Sequence, residues 1–329
     1  MINGMGNAMN KTILSFYCDD TNHYCAPPEA FKTFLDFVAA EGIAGESSVI
    51  IGSGWQQHGL LSRPTTDAQF AYLEQVRRAY SCGIDSHFEL MTHSGRFDFA
   101  KNQVPDGAIP EGLWLFEPAV TVTEYEAYFH AIISEGERVG VRFTGLTQPG
   151  CSCDACKLRY RQLCPIGQTV PTPNPNVWQA LLNLAKSGKF RGHTVPCFFD
   201  GDNLGKDAAA PATRKAGDGR SGVYNLMPNA TDRFGIWTND PTKVDPDYYI
   251  SANGQLGRIV DLVRARVPYC LFFAHWQSLN PANGVGWKAF TQVIQRVQKH
   301  LHQEVVWMRP SEYTDLLQNS SRSGPPLVK

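Results

Sequence analysis

The chain of 329 residues has no apolar run of about 18 residues, the length a membrane-spanning helix requires. It has no excess of charge either, with 30 Lys+Arg against 31 Asp+Glu. That balance offers no surface for a polyanion, so neither nucleic acid nor an anionic membrane is expected as a partner. The opening Met1-Ile2-Asn3-Gly4-Met5-Gly6 lacks a basic segment followed by an apolar one, so no signal peptide is read there. Nine cysteines are an odd number, and they are spread out. This argues against a disulfide framework and for a reducing compartment, so the expected location is cytoplasmic. No internal repeat is visible.

What the chain does have is material for a core. It is 43% hydrophobic, enough for one barrel-sized domain over 1–329. Strand-like runs alternate with helix-like windows. Strand composition marks 13–17, 48–52, 87–91, 141–145, 195–199, 235–238, 269–274 and 305–308. Helical spacing marks the windows between them, for example Phe290, Val293, Ile294, Val297 and Leu301. Such alternation implies parallel strands with crossover helices. The predicted fold is α/β: a distorted (β/α) barrel of seven or eight parallel strands with helices outside. The Pro/Gly/Asp-rich stretches place long loops over its mouth, at 145–176 and 200–234.

In such a barrel, functional residues gather at the C-terminal ends of strands. Polar residues recur there: Asp19 and Asp20, His93, Arg142, Asp200, Asn239 and Asp240, and His275. The pair Cys18-Asp19-Asp20 stands out. Two adjacent carboxylates where an apolar strand ends repel each other, and their surroundings raise the cost of charging both. A bound cation or a held proton relieves that cost, so the pair reads as a metal ligand beside a general base. The plainer alternative is an Asp-Asp turn. His93 ends another strand, where its imidazole could meet Asp20 across the mouth.

Taken in order, Phe16-Tyr17-Cys18-Asp19-Asp20, Glu89-Leu90-Met91-Thr92-His93-Ser94, Val141-Arg142-Phe143 and Leu271-Phe272-Phe273-Ala274-His275 resemble the motifs of the polysaccharide deacetylase family. The tail from Trp287 through Glu312 is similar too. The resemblance implies a metal-dependent hydrolase that removes an acyl group from an N-acylated sugar or related amide. It implies Asp19 as general base, Asp20 and His93 as metal ligands, Arg142 as the group orienting Asp19, and His275 as general acid, with zinc as the expected metal. The chain departs from the family at three points. Phe97 stands where the family has its third ligand, so Asp98, the next residue, is expected to serve, with His87 and Asp85 as poorer substitutes. Thr21 replaces a glycine, and Phe143-Thr144-Gly145-Leu146 replaces a proline-rich continuation.

Three further groups of residues bear on function. Cys151, Cys153, Cys156 and Cys164 are spaced closely enough for a structural zinc, but they contain one C-x2-C knuckle and not two; a disulfide and free thiols stay open. Trp55, Trp114, Trp237 and Trp276 lie near strand ends or loops, where aromatic faces can stack on sugar rings, and core packing is the competing reading for each. Trp55, Trp276 and Asp200 are the expected substrate contacts. Two other functions compete: a glycoside hydrolase using paired carboxylates such as Glu89 and Asp200, and a catalytically silent carbohydrate-binding barrel.

Overall fold

The structure, a computed structural model, describes residues 11–52, 59–150, 158–159, 162–163, 172–199 and 212–323. Its strands are β1 (Thr12–Asn22), β2 (Gly45–Ile50), β3 (Ile84–Phe88), β4 (Gly145–Thr147), β5 (Thr194–Phe198), β6 (Ala212–Gly217), β7 (Gly222–Leu226), β8 (Tyr269–His275) and β9 (Val305–Trp307). They form one sheet in the order β6-β7-β5-β4-β3-β2-β1-β8, with β9 paired to the start of β1. Among the described residues every strand pairing is parallel except β6 with β7. Just past β7, Ala230 bridges Phe272 of β8, and the Phe273 N–H donates to the Ala230 carbonyl at 3.1 Å. That short contact sets the segment after β7 against β8, so the sheet curls into a distorted barrel without closing strand to strand.

Helices cover the outside: α1 (Pro28–Glu41), α2 (Asp67–Ala79), α3 (Glu111–Trp114), α4 (Val122–Arg138), α5 (Pro175–Lys186), α6 (Arg258–Arg264), α7 (Trp276–Leu279), α8 (Trp287–Leu301) and α9 (Pro310–Ser323). Their ends follow sequence rules. Pro28 opens α1, and Gly42, at φ 62°, closes it in the left-handed region that glycine favours. Thr121 and Glu124 form a reciprocal capping box at the start of α4.

The two-residue period of a strand sorts side chains between two cores. Along β1, Leu14, Phe16 and Cys18 face the helices, while Ile13 and Tyr17 face the barrel interior. Along β8, Phe272 and Ala274 go outward, and Tyr269, Leu271 and Phe273 inward. Tyr17 stacks on Phe198 and Phe273 at 4.5 and 4.7 Å, which fills one side of the barrel. Each such buried aromatic contributes about 1.5–3 kcal/mol. The other side is polar, with Glu46, Ser48, Asp85, His87, Glu89 and Thr147 all buried.

Two sequence expectations fail here. The run 235–238 is not a strand: Ile236 and Asn239 take positive φ, and the Asn239 N–H closes a turn onto the Ile236 carbonyl. Within the predicted loop 200–234, residues 212–226 form the β6–β7 hairpin. Of the Gly/Asp-rich stretch, Gly217-Asp218-Gly219 form the hairpin's turn, where Asp218 Oδ1 accepts the Arg220 and Ser221 N–H groups, and 200–211 lie outside the described residues.

Candidate active site

The β1–β8 register runs from Ile13 opposite Tyr269 to Asp19 opposite His275. Both end residues continue the inward-facing series, so strand periodicity alone delivers a carboxylate and an imidazole to one mouth. On a regular strand Asp20 would face the helices. Instead the register with β2 shifts between Cys18 and Thr21, and Asp20 sits at φ 68°. This bulge turns Asp20 toward the mouth as well. Leu90 and His93, at φ 52° and 55°, are two more non-glycine residues in the left-handed region beside the site. Such strain gathers where surrounding contacts fix a functional geometry.

Two clusters result, and Ser48 joins them. Its Oγ lies 2.6 Å from Glu89 Oε2 and 3.1 Å from Asp19 Oδ1, and it accepts the Asp20 N–H at 2.9 Å. In the first cluster, His93 Nε2 stands 3.2 Å from Asp20 Oδ1 and 3.0 Å from Glu89 Oε1. Gln277 Nε2 donates to the other Asp20 oxygen at 3.0 Å. In the second, His275 Nδ1 lies 2.8 Å from Asp232 Oδ2, while its Nε2 faces Asp19 Oδ2 at 3.9 Å.

The first cluster fits a cation. Asp20, Glu89 and His93 each offer a ligand atom, and all three atoms lie within 4.8 Å of one another. Ligands at about 2.0–2.1 Å from a tetrahedral zinc are separated by about 3.3 Å, close to the spacings seen here. Glu89 Oε1 is a buried oxygen with no hydrogen-bond partner of acceptable geometry. A native fold rarely leaves such an atom without a use. The electrostatics agree. Burial opposes charging of His93, but the Glu89 and then the Asp20 carboxylates outweigh it and hold the imidazole well above its ordinary pKa. Burial likewise opposes charging of Asp20, yet His93 outweighs it and holds that carboxyl below its ordinary value. In effect His93 serves as the positive charge the two carboxylates require.

Several expected site residues lie elsewhere. Asp98 is not the third ligand: its Oδ1 accepts the Ala100 and Lys101 N–H groups, and its Oδ2 faces Lys101 Nζ at 3.5 Å. The carboxylate that lies beside Asp20 and His93 is Glu89. Neither substitute is there either. His87 is buried against Glu46 and Thr147, and Asp85 holds Ser311 at the opposite end of the barrel. Arg142 does not orient Asp19. β4 begins only at Gly145, so Arg142 precedes the strand, and its guanidinium donates to the Gly188 and Phe190 carbonyls. Trp276 is not a sugar platform. It is 0% exposed, packs edge-on against Phe31 and Phe34, and donates Nε1–H to the Cys25 carbonyl at 2.8 Å. Trp114 is likewise core, whereas Trp237 is exposed. Trp55, Asp200, Cys151, Cys153, Cys156 and Cys164 lie outside the described residues. Burial first, and the nearby carboxylates next, push the Cys18 thiol well up, so it is a packing residue and not a nucleophile.

Sequence reasoning did not reach Asp232, Ser48 or Gln277. Asp232 has no periodic pattern around it, and only the fold brings it to His275. Glu89 stands in the sequence four residues before His93, in phase with Asp85 and His87, where it reads as a glycosidase carboxylate.

No protein-family model matches the sequence, and no curated protein does. Solved structures do resemble it. One, assigned as a glycoside hydrolase/deacetylase from Parabacteroides distasonis, is 8% identical and has a TM-score of 0.51, covering 94% of this chain and 72% of that one. A protein assigned as a polysaccharide deacetylase from Mycobacterium smegmatis is 13% identical, with a TM-score of 0.45 over 97% and 95% of the two chains. A carbohydrate esterase family 4 pseudoenzyme from Bacillus anthracis is 8% identical, with a TM-score of 0.41 over 92% and 65%. The fold is therefore that of the glycoside hydrolase/deacetylase structure, a distorted (β/α) barrel. Among the described residues no helix is long and apolar enough to cross a membrane.

Proposed function

We propose that this chain is a metal-dependent hydrolase that removes an acyl group from an N-acylated sugar or a related amide. One observation carries the reading: a cation-sized cluster and an acid–base pair share the adjacent residues Asp19 and Asp20. Asp20, Glu89 and His93 would hold a divalent metal, with zinc the proposed ion. When bound, it supplies Lewis acidity toward the acyl carbonyl and lowers the pKa of water.

The chain's own groups account for the proton transfers. Ser48 lies beside Asp19 Oδ1, and Oδ2 is left facing the mouth. From there Asp19 removes the proton of the attacking water as its oxygen bonds to the acyl carbon. Asp232 holds His275 through Nδ1, which leaves Nε2 directed at the same space. His275 Nε2 delivers a proton to the leaving nitrogen as the carbon–nitrogen bond breaks. The gap of 3.9 Å between Nε2 and Asp19 Oδ2 is too long for a direct hydrogen bond and leaves both groups able to meet one reacting centre. Glu89 is 0% exposed and turned to His93, which disfavours the glycosidase reading in which it would reach a glycosidic oxygen.

The test is release of acetate from N-acetylglucosamine oligomers by the purified protein, with metal content measured alongside. Chelation should abolish release, and zinc, manganese or cobalt should restore it. Full activity in metal-free protein would refute the assignment of the first cluster. Metal-replete protein that releases no acyl group from any N-acylated sugar or simple amide would refute the activity.

A further inference from the structure

Glu111 takes no part in the chemistry above, yet it is 0% exposed and sits directly behind the first cluster. Its Oε1 accepts the Met91 N–H at 3.0 Å, and its Oε2 accepts the Thr92 and His93 N–H groups at 2.8 and 2.9 Å. The Tyr128 hydroxyl donates to Oε1 as well. Four donors therefore converge on one carboxylate, three of them consecutive amides of the segment that joins Glu89 to His93. The grip is mutual: the backbone N–H of Glu111 donates to the Ser94 carbonyl at 2.7 Å, and Gly95 bridges Pro110.

The amides converge because the segment is bent out of regular geometry. Leu90 and His93 flank it with φ of 52° and 55°. Successive amides in such a bend turn inward and form a concavity for an anion. Here the Glu111 carboxyl is the built-in acceptor. Without it, three N–H groups next to buried Thr92 and Met91 would have no acceptor, and the bend would relax toward an ordinary loop. Such relaxation would move His93 Nε2 away from Glu89 Oε1 and Asp20 Oδ1, since His93 is itself one of the three clamped residues. Tyr128, from α4, ties the clamp to the helical layer; its hydroxyl oxygen also accepts the Phe97 N–H at 2.9 Å. The aromatic residue that displaces the usual third ligand is thereby fixed in place.

We propose that Glu111 is a positioning residue, supported by Tyr128, whose clamp on residues 91–93 holds His93 and Glu89 at the spacing the cation needs. The proposal rests on the reading of Asp20, Glu89 and His93 as ligands. It adds a determinant of metal affinity that touches neither metal nor substrate. Groups that orient metal ligands from behind typically change affinity by about 10–100-fold when removed.

The experiment compares wild type, Glu111→Gln and Tyr128→Phe in two measurements. Backbone amide exchange is followed at residues 91–93 in metal-free protein, and zinc and cobalt affinity is measured by calorimetry. Glu111→Gln puts an NH2 group against donors that need an acceptor. Exchange at 91–93 should rise by about tenfold while that of β1 and β8 stays unchanged, and affinity should fall by roughly 10–100-fold. Tyr128→Phe, which leaves the three amide bonds in place, should show the same pattern more weakly, and it serves if Glu111→Gln does not fold. A folded Glu111→Gln protein with wild-type exchange at 91–93, or with wild-type affinity, overturns the proposal. Wild-type protein that binds neither metal instead overturns the ligand assignment, and the exchange data then judge the clamp separately.

Discussion

The two imidazoles of the site are wired in opposite ways. His93 meets two carboxylates, Asp20 and Glu89, through one nitrogen. His275 meets its carboxylates through different nitrogens, Asp232 at Nδ1 and Asp19 across a gap from Nε2. Three donors converging on one point describe a place for a charge to rest. Acidic groups at both ends of a ring describe a path along which a proton is held and passed. Under the proposed function the same residue types would serve two tasks, and the difference would lie in which atoms face each other.

The sharpest way to break this comparison is to delete each ring. His93→Ala should reduce bound metal to background and abolish activity, as measured by metal analysis after dialysis. His275→Ala should keep its metal and lose turnover by about 10²–10⁴-fold, with a smaller loss on substrates whose leaving groups need little protonation. If the two variants lose metal equally, the division of labour is wrong.

Smaller effects refine it. Asp232→Asn keeps the shape but replaces the charge that orients His275. Turnover should fall by roughly 10–100-fold, by analogy with the loss when the carboxylate behind a metal-bound histidine is removed. KM should hold steady while kcat falls, and a change confined to KM would count against an orienting role. pH provides the mildest perturbation. An imidazolium cannot bind metal, so binding must displace the proton that Glu89 and Asp20 help His93 retain. Because that pKa is raised, metal affinity should begin to weaken at a higher pH than for an ordinary histidine site. Below it, affinity should fall by about tenfold per pH unit. Calorimetry in buffers of different ionisation enthalpy would register the released proton. Affinity that does not change between pH 8 and pH 6 would show that His93 gives up no proton.

The sequence made legible whatever depends on strand periodicity. Asp19 and His275 end two apolar runs in phase with their inward-facing neighbours, and the structure puts them side by side. It also brings Asp20 and His93 together, although the bulge responsible left no mark beyond the doubled aspartate. Less was legible where strand limits decide direction. Reading 141–145 as a strand moved Arg142 to the wrong end of the barrel, since β4 begins three residues after it. Nearness in sequence to Phe97 points to Asp98 as the carboxylate. The loop instead folds back on Lys101 and Gln103, and strand phase makes Glu89 the inward carboxylate. Trp276 follows His275 directly, but α7 starts there and carries the indole into the outer core. Asp232 and Glu111 act over long sequence separations, which no local pattern encodes.

The irregularity in β1 also sets how easily the molecule could be silenced. Asp19 and Asp20 share one mouth only because the strand carries an extra residue there. Loss of a single codon would restore a regular strand, leaving one carboxylate in the mouth and the apolar packing beneath it untouched. The barrel would still close and the helices would still cover it. A descendant of that kind would keep the ancestor's outward form without the site proposed here, with nothing in its overall shape to betray the change.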